Sequence, residues 1–135
     1  AFSAVYAAII LVVYFTQLTT VRLAELTEQA CELLDFQQMG LFFSLDLLGY
    51  ALMSLATFFA GLTVEPKDKP SKWLRALLMI HGVFFISCLI MPMLGVFQAD
   101  SPAWIGVAVL EFWCAYFCPV AALALHYFRG QTEQK

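Results

Sequence analysis

Charge is scarce in this chain: Asp, Glu, Lys and Arg make up 13% of its 135 residues, against 62% hydrophobic residues. A water-soluble domain carries about 25% charged and about 45–50% apolar residues. So little polarity argues against a helical bundle in water, because each helix there needs a polar outer face. Only seven residues are Lys or Arg, and four of them lie within residues 65–75. No nucleic-acid partner is expected from so few basic residues.

Motifs for common chemistries are missing too. Cys31, Cys88, Cys114 and Cys118 contain no C-x-x-C, which argues against a zinc knuckle or a thioredoxin-like redox pair. There is no phosphate-binding loop, no H-E-x-x-H and no Ser-His-Asp arrangement. The alternating segments of about 10 residues that mark a membrane β-barrel are also lacking. No metal or cofactor is expected.

What is present is long apolar runs, with a mean hydropathy of +0.82 over the chain. Crossing about 30 Å of hydrocarbon takes roughly 20 helical residues at about 1.5 Å each. Four stretches qualify, at about residues 1–19, 41–64, 73–95 and 102–128. The first reads as a span rather than a cleaved leader, since it has no basic n-region and no small-residue cleavage site followed by a soluble domain. The expected fold is all-α, an integral membrane four-helix bundle of four transmembrane helices in a single domain. Ala4 and Ala8 in the first span, and Gly49, Ala56, Ala60 and Gly61 in the second, are small residues that let helix backbones approach.

Residues 20–40 have a different pattern. Arg22, Glu25, Glu28, Glu32 and Asp35 recur on one side, and Leu23, Leu26, Ala30, Leu33 and Leu34 on the other. That period predicts one amphipathic helix, closed by Gly40 as its C-terminal stop and packed as a cap over the bundle ends. Further on, Ser71 is the expected N-cap of the third helix, and Pro92 should bend or end it. Ser101 and Pro102 should start the fourth helix, and Pro119 should kink it.

Orientation follows from the basic residues. The linker of residues 65–72 with Arg75 holds four, and the C-terminal tail adds Arg129 and Lys135. Residues 20–40 hold one, and the turn at residues 97–101 none. Positive residues stay inside. Both termini and the lysine linker are therefore expected in the cytoplasm, in a plasma membrane or bacterial inner membrane. The amphipathic segment is then extracytoplasmic. Trp73 and Trp104 fit interfacial anchors.

Two carboxylates, Asp46 and Glu111, interrupt the apolar runs. An acid near the middle of a span costs up to about 3 kcal/mol. Asp46, only about one turn inside its helix, could lift its carboxylate to the headgroups, whereas Glu111, about two turns in, should face the bundle interior. Counting depth along each span brings Gln17, Asp46, Tyr50, Cys88, Glu111 and Cys114 to one level in the outer half. Asp46 and Tyr50, four apart, share a helix face. These six residues are the expected lining of a polar site open to the outside. The alternative is hydrogen-bonded glue between helices, at about 0.6 kcal/mol per bond.

His81 and His126, on neighbouring spans, raise the alternative of a bis-histidine haem, and Cys88, Cys114 and Cys118 that of a thiol oxidoreductase. The leading expectation is a small, non-catalytic membrane protein that binds a lipid-like or small polar ligand, or a partner, on its outer side. The second is a transporter or channel subunit that uses Glu111 and Asp46 within an oligomer, either with copies of itself or with another membrane protein.

Overall fold

The computed structural model describes residues 1–96 and 104–132, and every regular element among them is helical. Helix α1 spans Phe2–Thr16 and continues into a π-helical turn at Gln17–Val21. Helix α2 is Glu28–Leu34, followed by a 3-10 turn at Phe36–Gln38. Helix α3 is Leu41–Thr63, α4 Lys69–His81, α5 Phe84–Met93 and α6 Trp104–Thr132. Four segments are long and apolar enough to cross a membrane: Phe2–Val21, Leu41–Thr63, Lys69–Met93 and Ala108–Gly130. The first three lie within four residues of the expected bounds, and the fourth is Ala108–Gly130 against an expected 102–128. The expected start of the fourth helix at Ser101 and Pro102 lies outside the described residues.

By internal contacts the chain divides into two compact units, Ala1–Ala56 with Val83–Ser101, and Thr57–Gly82 with Pro102–Lys135. In the first unit α1 meets α3 along two stripes at helical spacing. On α1 the stripe is Tyr6, Ile10, Val13 and Gln17, with Val13 fully buried. On α3 it is Phe43, Asp46, Tyr50 and Ser54. Gly49 makes the approach close: a Cβ there would lie 2.8 Å from Ile10 Cδ1. The expected role of Gly49 in close packing therefore holds.

The amphipathic stretch departs from expectation. Instead of one helix over residues 20–40 there are two short pieces, separated by extended backbone. Capping explains the break. Thr27 is extended, and its Oγ1 accepts from the Ala30 amide, starting α2 at Glu28. Asp35 then accepts from the Gln37 amide and starts the 3-10 turn. Gly40 does not supply the left-handed residue either: Met39 does, at φ 56°. Gly40 is needed for space, because a Cβ there would run into the Glu32 carbonyl.

In the second unit α4 packs on α6. Val64, Leu74 and Val120 form its buried centre, with Leu77, Leu78, Tyr116, Phe117, Leu123 and Tyr127 around them. Gly61 admits α4, since a Cβ there would lie 3.0 Å from Leu78 Cβ and 3.2 Å from the Met79 backbone nitrogen. The N-cap of α4 is Asp68 rather than Ser71. Ser71 is its reciprocal partner in a capping box: the Ser71 amide donates to Asp68 Oδ1 at 2.8 Å, and the Asp68 amide to Ser71 Oγ at 2.9 Å. Pro70 fits the first turn of α4, and α5 ends one residue past Pro92.

Candidate functional site

Asp46 stands in the buried stripe of α3 and is only 3% exposed. Its Oδ1 is buried without a hydrogen-bond partner. A carboxylate that could lift its head to the interface would not be covered in this way. Tyr6, Tyr50 and Cys88 lie within electrostatic reach of it. The Tyr50 hydroxyl is 3.3 Å from that of Tyr14, and the rings of Tyr6 and Tyr50 are 6.2 Å apart. Cys88 on α5 is buried, and Ser54, one helix face along from Tyr50, is fully buried. The first unit thus gathers a carboxyl group, three phenols and a thiol, with one acceptor oxygen of the carboxyl unsatisfied. A buried polar atom without a partner costs about 1–3 kcal/mol, more for a charged group, so such atoms call for an occupant or a purpose.

The other expected site residues fare differently. Gln17 is committed to the backbone: its Nε2 donates to the Leu34 carbonyl at 2.7 Å, and its Oε1 accepts from the Phe36 amide at 3.1 Å. It pins the end of α2 to the π-turn that carries it. Glu111 and Cys114 belong to the second unit, where both are exposed on α6. Of the six residues, Asp46, Tyr50 and Cys88 gather in the first unit. Tyr6 and Tyr14 join them unanticipated, although Tyr6 shares its stripe with Ile10, Val13 and Gln17, a spacing visible in the sequence.

A second polar centre lies in the second unit. His81 is fully buried, and its ring is 4.9 Å from that of Phe117, 5.7 Å from Tyr116 and 5.9 Å from Trp113, between centroids. The Trp113 indole N–H donates to Nε2, and Thr57 Oγ1 is 2.7 Å from Nδ1. An indole can only donate, so Nε2 is the acceptor, and the ring proton lies on Nδ1 facing Thr57. Both ring nitrogens are therefore engaged by protein groups, which leaves no lone pair for iron. His126 is instead 3.6 Å from Asp68 Oδ2, at an exposed position. The two histidines do not make a haem pair in this arrangement.

All four cysteines are free thiols, and Cys118 Sγ donates to the Cys114 carbonyl. Among the described residues no group of three His, Cys, Asp or Glu could hold a metal ion. Among the described residues there are thus four apolar segments of spanning length, one satisfied polar centre and one with an unsatisfied oxygen. Comparison with family models, curated proteins and solved structures finds no match.

Proposed function

We propose that the chain is a multi-pass protein of a plasma membrane or bacterial inner membrane that binds, without catalysis, a small cationic or hydrogen-bond-donating ligand at Asp46. Both termini and the lysine linker are cytoplasmic in this reading, and residues 20–40 lie outside. The orientation rests on the basic residues of the linker. With α3 entering the membrane from the outer side at Leu41, Asp46 lies in the outer half.

One observation carries the ligand reading: the buried Oδ1 of Asp46 has no partner. A donor or cation that meets this oxygen removes the cost of leaving it bare. Tyr6 and Tyr50 add an aromatic wall of the kind that favours cations. The test is thermal unfolding of the detergent-solubilised protein against sodium, potassium, choline and simple alkylamines. At least one should raise the melting temperature of the wild type and leave Asp46→Asn unmoved. Equal responses of both proteins to every probe would remove the reading.

A second reading, a transporter or channel subunit, is favoured by Glu111. It is an exposed acid near one end of the span Ala108–Gly130, which fits an oligomer or membrane-protein partner covering that face. Proteoliposome flux that is lost with Glu111→Ala and Asp46→Asn would support it. Absence of flux in the wild type would count against it.

A further inference from the structure

The first two turns of α4 carry a feature that the ligand reading does not use. Lys69, Lys72, Trp73 and Ala76 recur at helical spacing and line an open depression of about 480 Å³. This stripe lies on the opposite side of α4 from Leu74 and Leu78, which face the apolar core. Both lysines are exposed, and Trp73 is 63% exposed.

The acids nearby are committed elsewhere. Glu65 is 2.9 Å from Lys67 Nζ, and Asp68 is held by Ser71 and faces His126. Among the described residues no carboxylate pairs with Lys69, Lys72 or Arg75. The depression therefore combines unneutralised positive charge with a bare indole, at the very start of the candidate span Lys69–Met93.

We infer that this depression seats the phosphate headgroup of an anionic bilayer lipid, with Lys69 and Lys72 on the phosphate and Trp73 against the glycerol and upper acyl chain. Charge and apolarity together select this occupant. A free phosphate would satisfy the lysines and leave the indole exposed, whereas a lipid covers both. Anionic lipid concentrates in the cytoplasmic leaflet, the side to which positive residues assign this linker. The inference requires the membrane and this orientation, and is independent of any ligand at Asp46.

Native mass spectrometry of the full chain, released from micelles holding equimolar phosphatidylglycerol and phosphatidylcholine, tests it. The wild type should retain phosphatidylglycerol preferentially. Each lysine near a membrane surface contributes roughly a five-fold preference, so Lys69→Gln with Lys72→Gln should lower it by roughly 30-fold. The double arginine variant should keep it, which separates charge from folding. Lys67→Gln, outside the depression, should leave it unchanged. The inference is overturned if the wild type shows no preference or if the double glutamine variant retains it. It also fails if Lys67→Gln loses as much, or if millimolar inorganic phosphate abolishes the preference, which would mark a free-anion site.

Discussion

Asp46 and His81 are both polar side chains buried in helices, the first within reach of Tyr6 and Tyr50 and the second ringed by Trp113, Tyr116 and Phe117. They differ in how their hydrogen-bonding capacity is met. Every ring nitrogen of His81 has a partner, from Trp113 on one side and Thr57 on the other. Asp46 leaves Oδ1 bare. A satisfied polar network behaves as packing with directional bonds, and it fixes which helix faces which. An unsatisfied one is a standing cost that calls for an explanation. The same burial thus makes a structural joint in one unit and leaves an orphaned carboxyl oxygen in the other, the observation on which the proposed ligand reading rests.

The sharpest way to break this contrast is to remove His81. His81→Leu fills similar volume but removes the acceptor of the buried Trp113 indole N–H and the ring nitrogen that faces the Thr57 hydroxyl. A loss of about 3 kcal/mol is expected in reversible unfolding from mixed micelles. A loss under about 1 kcal/mol would mean that the histidine is not the joint described here.

Asp46→Leu should act in the opposite direction. Replacing an unpaired buried acid with a hydrocarbon side chain removes a desolvation cost, so stability should rise by about 1–2 kcal/mol while response to cations and amines disappears. If Asp46→Leu is as destabilising as His81→Leu, the carboxyl group has a structural partner and the contrast between the two centres fails. Thr57→Val sits below both. It removes the hydroxyl that faces Nδ1 of His81 at nearly constant volume, for an expected loss of about 1 kcal/mol.

The contrast also shows what the residue pattern could reveal. Helices that are long and apolar enough to cross a membrane are legible from composition and length, and four such segments were. Depth counting was half informative. It fixes how far along a helix a residue lies but says nothing of its azimuth. Asp46, Tyr50 and Cys88 met in one unit, while Glu111 and Cys114, at the same expected height, are exposed on α6. Depth along the first span also puts Gln17 among the site residues. The backbone ends that claim it, Leu34 and Phe36, existed only once Thr27 and Asp35 had broken the amphipathic stretch. That break was readable: Thr27 and Asp35 are both strong caps, and local capping competes with helix propagation. The tie between His81 and Trp113 was not readable, since it joins residues 32 apart through tertiary packing.

The smallest expected effect concerns a carboxylate that is neither buried nor unsatisfied, and so serves as the reference for Asp46. Asp68 is exposed at the start of α4, where the hydroxyl and amide of Ser71 hold its carboxyl below the usual carboxylate range, with a lesser contribution from His126. A group whose folded value is depressed stabilises fully above its unfolded value, near 3.9, and loses that contribution as pH falls through the folded value. Melting temperatures measured from about pH 7 down to about pH 3 should therefore fall more steeply at the acid end for the wild type than for Asp68→Asn, whose cap cannot titrate. The gap between the two proteins should be constant above about pH 5 and close below about pH 4. Parallel curves over the whole range would show that the cap carries no pH-linked stability.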